Sequence, residues 1–161
     1  MLIGHSLGST EAIYYQGKTQ DKRIVALGIV GPGVWPRDII NKAKLDAARE
    51  HANDEPSYFI QSRNSQLVSA RHYLSYWLPG SNNDVRKWIG RVSVPLLVLG
   101  HSMRLNELCN AEASLKLSNL ANNSPKVEFK IIDVAPHSFA GHHEEVASII
   151  IEWLDSVGKD S

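Results

Sequence analysis

The pentapeptide Gly4-His5-Ser6-Leu7-Gly8 follows the pattern Gly-x-Ser-x-Gly, in which a serine lies between two glycines. A sharp turn from a buried strand into a helix exposes such a serine, because glycines have no Cβ atoms to clash in the tight backbone. The Ser6 hydroxyl is then a candidate nucleophile. The backbone N–H of Leu7, at the start of the helix, is positioned to stabilise an oxyanion. The spacing therefore predicts acyl-transfer chemistry.

A serine nucleophile needs a general base, and His137 is the candidate for this role. It lies in the loop between the last predicted strand and the last predicted helix. His142 and His143 are the alternatives, although they adjoin acidic residues and are typical of an exposed helix start. A metal site formed by these two histidines and the two glutamates after them is less favoured, since adjacent residues rarely converge on one ion.

Strands that alternate with helices would position these residues, and they predict an α/β fold with a mostly parallel sheet and flanking helices. Continuous apolar runs, which suit strands covered on both faces, predict strands at residues 1–3, 24–30, 94–99 and 127–133. Helices are predicted at residues 9–18, 42–51, 66–76, 106–121 and 144–156. The last helix has an apolar stripe with a 3.6-residue period, made of Val146, Ile149, Ile150, Trp153 and Leu154.

Residues 34–91 differ from this alternating pattern, since they contain three of the four tryptophans and many charges. We predict a helical insertion here, forming a lid within a single domain of residues 1–161. The alternative is that these are connecting helices of the fold. The aromatic side chains of this segment either line an acyl pocket or pack the insertion on the sheet; they are Trp35, Tyr58, Phe59, Tyr73, Tyr76 and Trp77.

The composition of the 161 residues excludes several classes of function. Lys and Arg number 17, as do Asp and Glu, so the formal net charge of zero argues against nucleic acid or an anionic membrane as the main partner. The single cysteine, Cys109, excludes a disulfide framework and a multi-thiolate zinc site. No apolar run approaches the roughly 20 residues of a membrane span, and the first residues do not look like a signal peptide. A cytoplasmic location is expected.

These motifs resemble the α/β-hydrolase superfamily of serine hydrolases, of the esterase type. The Gly-x-Ser-x-Gly elbow, the strand at residues 94–99 after a proline, and His137 before the amphipathic last helix stand in the family's order. The resemblance spans almost the whole chain but only the C-terminal half of the family's fold. We therefore expect a truncated chain that lacks the family's N-terminal strands. Residues 14–23 and 73–84 further resemble a subgroup related to the fungal siderophore-ester hydrolases.

The resemblance implies that Ser6 and His137 are the catalytic pair and that the substrate is a small-molecule ester or similar acyl compound, with no cofactor. The family's third catalytic residue, an acid, would follow the strand at residues 94–99, where Met103 takes its place. Glu107 and Asp38 are possible substitutes for this acid. Each also has an ordinary explanation, as a first-turn helix carboxylate and as a loop or cap residue respectively.

A repeated Gly-His-Ser and the missing acid each raise an alternative interpretation. The segment Gly100-His101-Ser102 repeats Gly-His-Ser, but Arg104 stands where the second glycine belongs, so we predict a loop after a strand rather than a second elbow. Because the acid is missing, the chain could be a non-catalytic remnant of the fold that binds a partner or forms a homodimer. An enzyme would lose turnover in Ser6→Ala, whereas a binding module would keep its partner.

Overall fold

The computed structural model describes residues 1–33, 41–55, 57–61, 66–78, 80–103 and 110–159. The chain divides into two compact units. The first consists of Met1–Val34 and Val85–Ser161, and the second is Trp35–Asp84. The second unit lies within the predicted insertion, whose last seven residues belong instead to the first unit.

Strands and helices follow one another along the described residues. The strands are β1 (Leu2–His5), β2 (Leu27–Val30), β3 (Phe59–Gln61), β4 (Leu67–Ser69), β5 (Leu96–His101) and β6 (Val127–Ile132). The helices are α1 (Leu7–Thr19), α2 (Lys42–His51), α3 (Ala70–Trp77), α4 (Val85–Ile89), α5 (Ala111–Ser118) and α6 (His143–Lys159). None of these helices combines the length and hydropathy needed to cross a membrane.

The first unit is built on a parallel sheet with the strand order β1-β2-β5-β6. Its two central strands, β2 and β5, are buried along their whole length. Because successive side chains of a strand point to opposite faces, Leu96 and Val98 pack with α1, α4 and α5. Leu97 and Leu99 pack on the other face, toward α6. The predicted parallel sheet with flanking helices is confirmed.

Helix α6 covers its face of the sheet with the predicted apolar stripe. Trp153 is 1% exposed and packs with Ala26 and Leu97. The other residues of the stripe are partly buried against the same face. Burial of a large aromatic side chain stabilises a fold by a few kcal/mol at about 25 cal/mol per Å², so α6 contributes much of the core on this side.

The second unit has a small core of its own, in which α2, α3 and the antiparallel pair β3–β4 contribute buried side chains. Of the aromatic residues singled out in the sequence, Tyr58, Tyr73 and Trp77 belong to this core. Phe59 is exposed, and Trp35 lies outside the described residues. The unit contains a strand pair as well as helices, and its role as a lid stays a prediction.

The helix predicted at residues 66–76 begins later than expected. Its first residues form β4, and α3 begins only after Ser69. The Ser69 backbone is extended, and its Oγ accepts a hydrogen bond from the N–H of His72, as an N-cap does. The helix predicted at residues 106–121 corresponds to α5, and residues 106–109 lie outside the described part of the chain.

Candidate active site

Ser6 occupies the turn between β1 and α1. Its backbone has φ 53° and ψ −117°, a conformation that an L-residue adopts only at a cost of about 1–3 kcal/mol. The Ser6 N–H donates to the carbonyl of Val30 at 2.9 Å, which ties the turn to the end of β2. Leu7 is the first residue of α1, so its N–H has no acceptor within the helix. The turn thus presents a hydroxyl beside a backbone donor.

The close approach of two backbone segments explains the first glycine of the pentapeptide. A Cβ on Gly4 would lie 2.2 Å from the carbonyl oxygen of Gly8. Ser9, which is fully buried, supports the same turn, since its Oγ is 2.7 Å from the Gly4 carbonyl oxygen and 3.1 Å from that of Val30. Within the described residues, a Cβ on Gly8 would meet no atom within 4 Å. The steric need predicted for both glycines is therefore seen only at Gly4.

His137 lies in the loop after β6 and reaches Ser6 across the carboxyl ends of the strands. Its Nε2 is 2.8 Å from the Ser6 Oγ, although the two residues are 131 positions apart in the sequence. Both side chains are half-buried. Backbone contacts fix this loop on the end of β5, because the Met103 N–H donates to the Ala135 carbonyl at 3.3 Å. The Val134 N–H donates to the Ser102 Oγ at 2.6 Å.

The other ring nitrogen of His137 contacts a second histidine. The His137 Nδ1 is 3.1 Å from the Nε2 of His101, which is the last residue of β5 and is 1% exposed. The Nδ1 of His101 is in turn 2.8 Å from the backbone carbonyl oxygen of Met103. Met103, expected at the place of the acid, thus contributes a backbone acceptor, and its side chain is half-exposed.

Three hydrogen bonds link Ser6, His137, His101 and the Met103 carbonyl oxygen in turn. The carbonyl oxygen determines which atom donates in each of them. A carbonyl oxygen only accepts, so the His101 Nδ1 carries the proton that is donated to Met103. In the neutral ring the His101 Nε2 is then an acceptor, and it receives the Nδ1–H of His137. That leaves the His137 Nε2 with a free lone pair, which accepts the Ser6 hydroxyl proton. The neutral tautomers therefore place the lone pair of a general base against the candidate nucleophile.

Apolar and imidazole groups surround the His137 ring. His5 donates from its Nε2 to the His137 carbonyl oxygen at 2.9 Å, and the two ring centroids are 5.3 Å apart. Phe139 is 3% exposed and contacts the rings of His5 and His101 edge-on. Gly31 also lies beside these rings, and its φ of 53° is a backbone conformation that favours glycine. These neighbours limit the access of water to the ring.

Burial lowers the pKa of both histidines in this contact. For His101, desolvation lowers the pKa below its ordinary value, and the nearby His5 adds to this effect, while the bond to the Met103 carbonyl opposes it. For His137, desolvation again lowers the pKa, and the positive charges that His101 and His5 carry when protonated lower it further. Both rings therefore favour the neutral form that the hydrogen-bond directions require.

The remaining candidates lie apart from this arrangement or outside the described residues. Glu107 and Asp38 both fall outside the described part of the chain. The Nδ1 of His142 contacts a carboxylate oxygen of Glu145 at 3.1 Å, at the start of α6. Within the described residues, no three His, Cys, Asp or Glu side chains converge as metal ligands would.

Sequence reasoning missed His101, which it assigned to a loop without a function. The signal that pointed to it is its position: it ends a buried parallel strand, and ligands and catalytic groups collect at the carboxyl edge of such sheets. The repeated Gly-His-Ser drew attention to Ser102 instead. The Ser102 Oγ accepts a backbone hydrogen bond in the structure.

Comparison with known proteins gives matches in structure only. No protein-family model matches the sequence, and no curated protein matches it. The structure is similar to that of a monoacylglycerol lipase from Paleococcus ferrophilus, with a TM-score of 0.69 and 20% identity over 96% of this chain and 67% of that protein. It is also similar to Est1E from Butyrivibrio proteoclasticus, with a TM-score of 0.66 and 15% identity over 96% of this chain and 60% of the other.

A third similar structure is a highly thermostable carboxyl esterase from Bacillus coagulans. The TM-score is 0.64 and the identity 14%, over 96% of this chain and 64% of that protein. The chain thus spans between 60% and 67% of the length of the three proteins. At these identities the likeness concerns the fold.

Proposed function

We propose that this chain, whose structure matches part of the α/β-hydrolase fold, is a serine hydrolase of the esterase type that cleaves an ester or similar acyl compound. The observation that carries the proposal is the 2.8 Å contact between the His137 Nε2 and the Ser6 Oγ, with Ser6 in a strained turn between a strand and a helix. The similar lipase and esterase structures support the same class of reaction.

In the first half of the proposed reaction, the Ser6 Oγ attacks the carbonyl carbon of the ester. The hydroxyl proton moves to the His137 Nε2, and the carbonyl electron pair moves to the oxygen, which becomes an oxyanion. The Leu7 N–H, free of an intrahelical acceptor, donates to this oxyanion. When the carbonyl reforms, the bond to the leaving alcohol breaks, and the alcohol takes the proton from the His137 Nε2. Ser6 then carries the acyl group.

In the second half, water takes the place of the alcohol. The His137 Nε2 accepts a proton from the water as its oxygen attacks the acyl-enzyme, and a second tetrahedral oxyanion forms. Its collapse breaks the bond to the Ser6 Oγ, which takes the proton back from His137. The acid leaves and the pair returns to its starting state. The groups that take part directly in these steps are the two side chains, the Leu7 N–H and water.

Turnover of p-nitrophenyl esters of increasing acyl length tests this function. We expect the purified chain to hydrolyse at least one of these esters, and Ser6→Ala and His137→Ala each to lower kcat/KM by at least about 100-fold. Ser57→Ala and His72→Ala are the matched controls, because both residues are exposed and belong to the second unit, remote in sequence from the elbow and from the loop after β6. Circular dichroism should show the same helix content for all variants.

Failure to hydrolyse any ester faster than Ser6→Ala would overturn the proposal. Equal losses in the two control variants would do the same, since the reaction would then not depend on the Ser6–His137 pair. In that case the folded chain would be interpreted as the non-catalytic remnant considered in the sequence analysis.

A further inference from the structure

We propose that His101 is a positioning residue that takes the place of a catalytic acid by accepting the Nδ1–H of His137. The inference rests on the proposed function of Ser6 and His137. It assigns a role to the last residue of β5, two positions before Met103, which stands where the family resemblance places the acid.

The geometry restrains His101 at both of its nitrogen atoms. Its Nδ1 is 2.8 Å from the Met103 carbonyl oxygen, and its Nε2 is 3.1 Å from the His137 Nδ1. The ring stands edge-on to His137, with centroids 5.1 Å apart, and edge-on to Phe139 at 5.8 Å. An almost fully buried ring with a partner at each nitrogen has little freedom to rotate. It therefore presents a fixed acceptor to His137.

This acceptor selects the tautomer that the reaction needs. A neutral imidazole in water carries its proton on either nitrogen, and only the Nδ1–H tautomer leaves the Nε2 lone pair for the Ser6 proton. The His101 Nε2 stabilises that tautomer by accepting the Nδ1–H. When His137 gains the Ser6 proton, the resulting imidazolium still donates to the same atom. A neutral ring thus supplies the orientation that a carboxylate usually gives, without its negative charge.

Two neutral amide substitutions separate the two contacts of His101. In His101→Gln, the amide oxygen extends about as far as the Nε2 of the ring and can accept the Nδ1–H of His137. In His101→Asn, the shorter amide reaches about as far as the Nδ1 and keeps a donor for the Met103 carbonyl, but not an acceptor for His137. A residue that only fills the core and fastens the loop would tolerate Asn at least as well as Gln.

The kinetic test compares these variants by kcat/KM for ester hydrolysis and by the rate of reaction with a fluorophosphonate. We expect His101→Gln to stay within about tenfold of the wild type. We expect His101→Asn to fall by roughly 10²- to 10⁴-fold in kcat with little change in KM, as for other losses of tautomer control. Equal rates for the two variants, or a larger loss for Gln than for Asn, would overturn the proposal.

Nitrogen-detected NMR of the histidine rings gives a readout that does not depend on turnover. In the wild-type chain near neutral pH, His137 and His101 should both be Nδ1–H tautomers. His101→Gln should keep this state of His137, and His101→Asn should shift it toward the Nε2–H tautomer. An Nε2–H tautomer of His137 in the wild type would overturn the proposal by itself, even if His101→Asn failed to fold.

The two measurements also separate this inference from the proposed function. A chain that hydrolyses no ester but shows the Nδ1–H tautomer of His137, dependent on His101, would support the positioning role and contradict the esterase. A chain that hydrolyses esters equally well with Asn or Gln at position 101 would support the esterase and contradict the positioning role.

Discussion

His5, His101 and His137 lie together beside Ser6, and this clustering determines the protonation state in which the site works. Among the described residues, the His137 ring is hydrogen-bonded to Ser6 and to His101, neither of which carries a negative charge when the pair is neutral. Burial lowers the pKa of both His101 and His137, and a positive charge on a neighbouring imidazole lowers it further. The neutral imidazole is therefore the favoured form of both His101 and His137.

The pH dependence of kcat/KM follows from these shifts. Burial, His101 and His5 all lower the pKa of His137 below its ordinary value of 6.5, and His137 must be neutral to accept the Ser6 proton. Activity should therefore persist below pH 6.5 and fall only as the pH passes through the lowered pKa. Ester hydrolysis measured between about pH 4.5 and pH 8 checks this expectation.

Circular dichroism at each pH is the control for folding. Below pH 6.5, His101 and His137 bind protons more readily in the unfolded chain than in the folded one, because burial lowers their pKa values only in the folded state. Stability is therefore expected to fall below pH 6.5 as well, and the activity must be compared only where the chain stays folded. An acid limb of kcat/KM with its midpoint above pH 6.5 would contradict the assignment of His137 as a desolvated base.

The turn between β1 and α1 could be predicted from the local sequence only in part. The pentapeptide correctly predicted a strand, a tight turn and a helix, because the pattern of glycine, serine and apolar residues is local. It did not reveal that Ser9, in the first turn of α1, is buried and contacts the Gly4 carbonyl. A buried hydroxyl contact of this kind depends on how the helix folds back, which the linear pattern does not specify.

Gly4→Ala and Gly8→Ala test the steric account of this junction. The first places a Cβ 2.2 Å from a backbone oxygen, so the turn must shift, and we expect a loss of about 2 kcal/mol or more in the free energy of unfolding. The second adds a methyl group to open space in a helix, where alanine is favoured over glycine by up to about 1 kcal/mol. Urea unfolding followed by circular dichroism measures both.

The test is the difference in the free energy of unfolding between Gly4→Ala and Gly8→Ala, because each variant is the matched control for the other. The same loss of stability in both would show that the close approach at Gly4 does not determine which position requires glycine. A stable Gly4→Ala variant would show that the turn relaxes at little cost.

The whole molecule brings together groups that are distant in the sequence. Its α/β class, parallel strands and apolar stripe on α6 were predictable, because they follow from periodicity and from runs of apolar residues. The three solved structures described above, a lipase, Est1E and a carboxyl esterase, are similar to this chain in fold, and the similarity extends no further than the fold. The closer resemblance to siderophore-ester hydrolases stays a prediction.

The contact between His101 and His137 could not be predicted from the sequence. It joins residues 36 positions apart and requires the end of β5 to meet the loop after β6 in one orientation of two rings. The family resemblance implies a carboxylate at this place, and an imidazole that acts as an acceptor has no distinct local sequence pattern. Tertiary packing, including the edge-on contact of Phe139 with the His101 ring, determines this part of the site.

Covalent labelling tests most directly whether the folded chain assembles an activated serine. The purified protein, Ser6→Ala and His137→Ala are treated with a fluorophosphonate, and intact mass and peptide mapping locate the adduct. The account predicts one adduct, on Ser6, that is absent from both variants and from the wild type unfolded in urea. A folded wild-type chain that stays unlabelled, or an adduct that persists in His137→Ala, would contradict it.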